Sequence, residues 1–203
     1  MPCQLTQEQI DHAIAFHGHW CPGLASGIRA AEWALAEMGP RSEDEELVAV
    51  VETDYCGIDA VQCLTGCTFG KGNLIYRDYG KLAFSFYRRS DGKAARLVLK
   101  GMGNTAEQEE MTALHRKKAT GLTPGEADRL QALREHVAAQ TMDAALGDIF
   151  DIQALNDPPP QKARILESRV CDGCGERVME TRTRLRGNKC YCLPCFEKQA
   201  DVA

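Results

Sequence analysis

Four cysteines in the last third of the chain form two Cys-x2-Cys pairs, a spacing that constrains the fold more than any other feature of the sequence. Cys171 and Cys174 make the first pair, Cys192 and Cys195 the second, and seventeen residues separate the two pairs. Each pair brings two sulfurs to one side of a turn, so two pairs complete a tetrahedron around one ion. The spacing predicts a structural Zn²⁺ site with these four ligands.

The residues around the second pair predict the shape of this module. Arg186-Gly187-Asn188 is typical of a hairpin turn, and a helix is expected from Pro194 to Ala200. A cysteine knuckle, a hairpin and a helix in this order predict a treble-clef or zinc-ribbon-like finger. Cys190 is an alternative to Cys192, but using it would abolish the two-residue spacing. Cys192 is therefore preferred, and a contribution from Cys190 stays open.

Three consecutive prolines give the clearest domain boundary. Pro158-Pro159-Pro160 forms a stiff, extended spacer in a chain of 203 residues, long enough for one full domain and a small one. We expect a core domain over residues 1–157, a linker over 158–168 and a zinc-finger domain over 169–203.

Helix and strand signals are mixed along the core. Thr6 with Gln9 forms a capping box, and Thr123-Pro124-Gly125-Glu126 is a strong helix start. Asp78-Tyr79-Gly80 and Asp91-Gly92 are typical hairpin turns. The patterns predict helices over 7–16, 22–38, 57–64 and 105–119, another from Thr123, and strands over 47–53, 73–79, 81–89 and 94–101. The predicted class is α+β, an antiparallel-rich sheet with flanking helices.

Composition and charge exclude several classes of protein. No apolar stretch reaches the roughly 18 residues that a membrane span requires, and the first residues lack the features of a secretory signal. Ten clustered cysteines without an export signal favour reduced thiols in the cytoplasm. The net charge is −5, with a formal +4 over residues 161–198 and −9 elsewhere. An acidic body with a mildly basic tail argues against a dedicated nucleic-acid binder.

A second group of metal-type ligands lies near the beginning of the chain. His17, His19 and Cys21 fall within five positions, and Cys21 stands where the second predicted helix begins. Cys56 precedes the next short helix in the same manner. A helix N-terminus favours a thiolate, and thiolate with imidazole suits zinc, nickel or iron. We therefore expect these four residues to converge on a possible second transition-metal site.

The same residues permit a different chemistry. Cys21 or Cys56 is a candidate nucleophile, with His19 as a candidate base. Inert capping and burial of the thiols is the simpler alternative, and it is the one we favour for Cys63. Gly70-Lys71-Gly72 lacks the spacing of a phosphate-binding loop.

Several long motifs resemble one known family. They are 17–23 (HGHWCPG), 54–62 (DYCGIDAVQ), 64–74 (LTGCTFGKGNL) and 78–84 (DYGKLAF), with the four finger cysteines. The sequence is similar to the formylmethanofuran dehydrogenase FmdE family, whose members are encoded alongside a molybdenum or tungsten enzyme. The resemblance implies an α+β core that forms a close homodimer, followed in many members by a zinc finger. The chain has no molybdopterin signature and no Cys-x2-Cys-x2-Cys-x3-Cys run of the kind that binds iron–sulfur clusters, so it is not that dehydrogenase by itself.

Three functional hypotheses follow. The first is a metal-binding accessory protein that handles a metal or small ligand for a metalloenzyme partner, such as the molybdenum or tungsten formylmethanofuran dehydrogenase. The second is a stand-alone enzyme with a cysteine nucleophile, and whether the chain is an enzyme stays open. The third is a metal- or ligand-sensing regulator. The expected partners are a second copy of the chain, a metalloenzyme and an unidentified small molecule, with no membrane and no nucleic acid.

Overall fold

The computed structural model describes residues 1–101, 106–164 and 166–200. The chain divides into two compact units, Met1–Lys162 and Ala163–Ala203, here called the core and the finger. The division falls inside the segment expected to be a linker, 158–168. The prolines at the start of that segment belong to the core, because Arg89 Nη1 donates a hydrogen bond to the carbonyl of Pro160.

A five-stranded sheet forms the centre of the core. Its strands are β1 (Leu47–Val51), β2 (Leu74–Tyr76), β3 (Ala83–Arg88), β4 (Ala94–Leu99) and β5 (Phe150–Leu155). They lie in the order β2-β1-β3-β4-β5. β1 pairs with β2 in parallel, whereas the other three pairings are antiparallel.

Helices occupy most of the remaining core. In the described part they are α1 (Gln7–His17), α2 (Pro22–Glu37), α3 (Gly57–Thr65), α4 (Ala106–Lys117), α5 (Pro124–Asp143) and α6 (Leu146–Ile149). The capping boxes of Thr6 and Thr123 both form, so the predicted helix starts are confirmed. An antiparallel-rich sheet with these helices confirms the α+β class. No helix among the described residues has the length and apolar character needed to cross a membrane.

The predicted hairpin around Asp78-Tyr79-Gly80 is wrong. β2 does not pair with β3, because β1 lies between them and takes both as neighbours. The backbone N–H groups of Tyr79 and Lys81 instead donate to the carbonyl of Glu52, just beyond β1. The turn therefore carries the chain across the end of β1. By contrast, the Asp91-Gly92 turn joins β3 to β4 as predicted.

The sequence prediction missed β5. Residues 150–154 alternate apolar and polar side chains, and residues 150–155 pair antiparallel with all of β4. Phe150 fills the core at 1% exposure, whereas residues 151–154 are exposed whether apolar or polar. The period-two alternation was the signal available in the sequence. With β5 at its edge, the sheet has five strands and not the four that the sequence predicted.

Aromatic rings of the sheet pack against small side chains of α2. Phe84 and Phe86 are fully buried, with ring centroids 6.3 Å apart, and Phe150 meets Phe84 edge-on at 6.5 Å. Ala30 and Ala34 of α2 belong to the same cluster. Burial of each aromatic ring stabilises the fold by roughly 1.5–3 kcal/mol, so this layer fixes α2 firmly on the sheet.

The finger is built from two short hairpins and a helix. β6 (Ser168–Val170) pairs with β7 (Arg177–Met179), and β8 (Thr183–Arg186) pairs with β9 (Lys189–Cys192). α7 (Leu193–Ala200) follows. Gly187 has a φ of 60° in the β8–β9 turn, a conformation that glycine adopts without strain. The knuckle–hairpin–helix order confirms the predicted architecture of the finger.

Candidate metal centres

The end of α1 and the beginning of α2 bring three candidate ligands together. His17 is the last residue of α1, and Gly18 ends the helix with a left-handed φ of 93°. Cys21 is the N-cap of α2, and its Sγ accepts the Leu24 N–H at 3.4 Å. His19 lies in the short connection between the two helices. The reversal after α1 therefore gathers His17, His19 and Cys21 at the start of α2.

Cys56 reaches the same place as the N-cap residue of α3. Unlike Cys21 it has a helical backbone conformation, and its side chain makes no capping hydrogen bond. Gly23 leaves room for it, since a Cβ on Gly23 would lie 3.1 Å from Cys56 Cβ and 3.7 Å from Sγ. Cys21 and Cys56 therefore both stand at the start of a helix, as the sequence predicted. Only Cys21 caps its helix with its side chain.

Further along, Gly27 packs on Gly57 with no side chain between the helices. A Cβ on Gly27 would lie 2.1 Å from the carbonyl oxygen of Gly57, closer than any real contact. The second turn of α2 is therefore in backbone contact with the start of α3, which sets Cys21 and Cys56 side by side.

The four side chains form one compact cluster, here called the core cluster. One ligand atom from each of His17, His19, Cys21 and Cys56 lies within 4.8 Å of the others. His17 Nε2 is 3.9 Å from Cys21 Sγ, and the rings of His17 and His19 are 4.5 Å apart. Cys21 is buried, His17 and Cys56 are half-buried and His19 is exposed. The cluster is therefore shielded from solvent at Cys21 and accessible to solvent at His19.

Asp59 was not among the predicted site residues, yet it contacts the core cluster directly. Its Oδ2 lies 2.7 Å from His17 Nδ1. Asp59 stands one helical turn after Cys56, in the first turn of α3, and its backbone N–H donates to the Cys56 carbonyl. The only sequence signal for Asp59 was its spacing from Cys56, Cys-x2-Asp. Its contact with His17 depends on the packing of α1 against α3.

Burial shapes the electrostatics of the core cluster. Desolvation raises the pKa of Cys56, and the adjacent Cys21 thiol raises it further. Desolvation also lowers the pKa of His19, helped by the neighbouring His17. A neutral imidazole is the form that ligates metals, whereas the thiols need a nearby positive charge to ionise. The donor set of two sulfurs and two imidazoles fits zinc or another transition metal that accepts both.

The finger holds a second cluster, formed by the four predicted cysteines. One sulfur from each of Cys171, Cys174, Cys192 and Cys195 lies within 4.8 Å of the others. Backbone N–H groups of Cys192 and Gly173 donate to Cys171 Sγ at 3.2 and 3.3 Å. The donation from Cys192, with those from the knuckle, lowers the pKa of Cys171 to about 6. Neighbouring thiols, Cys192 first, raise the pKa of Cys195 to about 12. Four sulfurs at these distances fit one tetrahedrally coordinated metal ion.

Cys190 lies outside this four-sulfur cluster. Its N–H donates to Asp172 Oδ2 at 2.6 Å, and its carbonyl accepts from Asp172 N–H at 2.8 Å. These two bonds join the first knuckle to β9. Cys190 therefore supports the cluster through its backbone, and its side chain lines a separate cavity of about 350 Å³ with Leu185 and Thr183.

The Gly70-Lys71-Gly72 loop has a structural role in the core. Lys71 Nζ donates to the carbonyls of Ser42 and Glu43 at 3.0 and 3.4 Å. Its ammonium group ties the loop to the segment before β1.

Comparisons with known proteins show the family of this chain. The model of a family described as "FmdE, Molybdenum formylmethanofuran dehydrogenase operon" matches residues 16–151, which include the whole core cluster. A relative from Archaeoglobus fulgidus, described as a probable S-adenosyl-L-methionine-binding protein, is 32% identical over 191 residues. That match covers 90% of this chain, and the chain spans about half (51%) of the relative's length.

A solved structure has the same fold. It is an FmdE-like protein of the tungsten formylmethanofuran dehydrogenase type from Syntrophus aciditrophicus, with a TM-score of 0.59 and 27% identity. The similarity covers 95% of this chain and 92% of that one, so it extends over both core and finger. With a family match over most of the core and a structural match over nearly all of the chain, this protein belongs to the FmdE family.

Proposed function

We propose that this protein binds two metal ions, one in each cluster, and that it serves as an accessory protein handling a metal or small ligand for a metalloenzyme. The observation that carries the proposal is the convergence of His17, His19, Cys21 and Cys56, whose ligand atoms lie within 4.8 Å of one another. They come from three separate segments: the end of α1, the following connection into α2 and the start of α3. Inert buried thiols do not require two histidines beside them.

In the finger we propose a structural zinc ion. Four cysteine sulfurs leave no open coordination position, so such a site holds the fold and does no chemistry. The described part of the finger buries few large apolar side chains: Tyr191 is the only one besides the cysteines below 9% exposure. Metal binding, worth roughly 10–16 kcal/mol in comparable peptides, would therefore supply most of its stability.

The core cluster supports a different role, because it is open on one side. Cys21, Cys56 and His17 form the protected part, and His19 stands on the exposed side. A bound transition metal would supply Lewis acidity and lower the pKa of thiol or water ligands. An external ligand would approach from the side of His19. His19 is therefore the protein ligand that an incoming molecule would displace most readily.

Partners are part of the same proposal. The family description links such proteins to the operon of a molybdenum enzyme, so we propose a metalloenzyme partner, and a cytoplasmic location with it. We also propose a homodimer, since Tyr76 in the edge strand β2 and Tyr79 in the turn that follows it leave apolar surface exposed. The description of the Archaeoglobus protein makes S-adenosylmethionine the first small molecule to test, although only half of that protein is matched.

Metal stoichiometry tests the proposal. Elemental analysis of the full chain, purified without chelator and supplied with zinc, should give two ions per chain. The Cys21→Ser, Cys56→Ser double variant should give one. Cys63→Ser is the matched control, because Cys63 is a buried thiol of α3 outside the core cluster, and it should keep two. One ion in the unmodified protein, lost on mutating the finger, would contradict a core metal site.

That contrary result would favour the second candidate, an enzyme with a cysteine nucleophile. The contact that favours it is the series Cys21, His17 and Asp59, in which His17 lies 3.9 Å from the sulfur and 2.7 Å from the carboxylate. This is the order of a nucleophile, a base and an orienting acid. Cys21 is only 3% exposed, however, so a substrate would reach it with difficulty. The metal site is therefore the better-supported function.

A further inference from the structure

We infer that Asp59 is a positioning residue of the core cluster: its carboxylate holds the proton of His17 on Nδ1 and thereby directs the unprotonated Nε2 toward the cysteine sulfurs. This inference rests on the proposed metal-binding function and extends it to a residue that is not itself a ligand. The first turn of α3 would then contribute two groups to the site. Cys56 would be a ligand, and Asp59, one turn later, would orient His17.

The geometry of the His17 ring carries the argument. Nδ1 lies 2.7 Å from Asp59 Oδ2, and Nε2 lies 3.9 Å from Cys21 Sγ. A carboxylate only accepts hydrogen bonds, so the short contact requires the proton on Nδ1. In a neutral ring Nε2 then carries the lone pair, which points into the cluster. Metal-ligating histidines commonly donate their other N–H to such a partner.

An ordinary surface ion pair is the competing explanation. It would require His17 to be protonated on both nitrogens, and Nε2 would then have no lone pair to offer a metal. Exposure of the two side chains separates the alternatives: Asp59 is 38% exposed, but His17 is only 11% exposed. A ring that is mostly withdrawn from water, with Nε2 3.9 Å from Cys21 Sγ, has the surroundings of a ligand.

The chain also fixes Asp59 before any metal arrives. Its backbone N–H donates to the Cys56 carbonyl at 3.2 Å, inside the first turn of α3. That turn is packed against α2 through the Gly27–Gly57 contact. Asp59 therefore lies in the same rigid turn as Cys56. Its carboxylate orients the ring of His17 relative to Cys56, the other ligand.

The test compares zinc affinities of the full chain in competition with a chromophoric chelator. The Cys21→Ser, Cys56→Ser double variant reports the finger alone, and its contribution is subtracted. Asp59→Ala should weaken the core site roughly 10–100-fold, the usual effect of removing such a partner. Asp59→Asn keeps an acceptor oxygen and should weaken it less. Asp54→Asn removes the same charge two residues before Cys56 and should change nothing.

A second readout follows the proton itself. In the metal-free protein, ¹⁵N–¹H NMR should show His17 with its proton on Nδ1, and Asp59→Ala should shift the proton toward Nε2. Unchanged core affinity in Asp59→Ala, or a proton on Nε2 in the unmodified protein, would overturn the role of Asp59. An equal loss in Asp54→Asn would also overturn it, since net charge would then be the cause. Failure of the proposed function looks different: the unmodified chain would bind no more zinc than the double variant.

Discussion

Three glycines lie where the segments that bear Cys21 and Cys56 meet. A Cβ on Gly23 would contact Cys56 and one on Gly27 would collide with the backbone of Gly57, whereas one on Gly57 would meet the ring of Tyr55. None of the three is required by a positive φ, so the reason for glycine is space and not backbone conformation. The core cluster depends on the absence of these side chains as much as on the presence of its ligands.

Gly27→Ala is the sharpest test of that contact. The added Cβ would lie 2.1 Å from Gly57 O and 2.4 Å from Gly57 Cα, and backbone atoms cannot rotate away. We expect the free energy of unfolding to fall by about 3 kcal/mol or more, because the helices must separate. Core zinc should fall with it. The measurement is chemical denaturation followed by circular dichroism.

Gly125→Ala supplies the control for this substitution. Gly125 is also helical, in the first turn of α5, and an added Cβ there meets nothing within 4 Å. Its stability should be unchanged or slightly raised, since alanine restricts the unfolded chain. Equal behaviour of the two variants would contradict the close packing of α2 on α3.

At the scale of elements, one buried arginine joins α2 to the end of α5. Arg29 is fully buried, and its Nη1 donates to the carbonyls of Thr141, Met142 and Ala144 at 2.6–3.0 Å. Its Nε donates to Glu32 at 2.6 Å. The guanidinium thus donates to carbonyls at the end of the helix, which lack partners within the helix. These bonds tie the C-terminal end of α5 to α2, in addition to the packing of the buried apolar face of α5.

Arg29→Met should therefore be strongly destabilising. It would leave Glu32, which is only 7% exposed, without its cation, and it would remove the donor that the carbonyls at the end of α5 share. Breaking a buried pair in this way costs about 3–5 kcal/mol, which urea unfolding would measure. Arg129→Met is the control, since the Arg129–Glu110 pair is exposed on α5 and α4 and should matter little. A loss for Arg29→Met as small as that of the control would show that the network contributes little.

At the scale of the whole molecule, core and finger are separate compact units with separate sulfur clusters. Each cluster lies within one unit, so loss of the finger ion should leave the core folded. The two units also differ in charge, with the positive excess concentrated in the finger.

Cys174→Ser tests this independence. It should remove one zinc ion per chain and unfold the finger, because few large apolar side chains are buried in its described part. Core amide signals in an NMR spectrum should persist, and core zinc should remain. Cys190→Ser is the matched control, because Cys190 lies outside the sulfur cluster and supports it through backbone bonds. Collapse of the core signals in Cys174→Ser would contradict two independent units.

The finger shows how much local spacing can determine. Two Cys-x2-Cys pairs and a glycine turn were sufficient to predict its four sulfurs, its hairpin and its helix, since each of these depends on neighbours along the chain. The same holds for the capping boxes at Thr6 and Thr123 and for the Asp91-Gly92 hairpin. Short-range signals of this kind need no knowledge of what packs against them.

The sheet and the core cluster depended on contacts between distant segments. β1 separates β2 from β3, which no turn signal could reveal, and β5 becomes a strand because β4 offers a free edge. Asp59 acquires its role only when α1 lies against α3, forty-two residues away from His17. The sequence by itself indicated which residues could bind a metal ion, because thiols, imidazoles and their spacing are local properties. Tertiary structure decided how they meet, because the approach of α2 to α3 and the direction of the His17 ring are set by long-range packing.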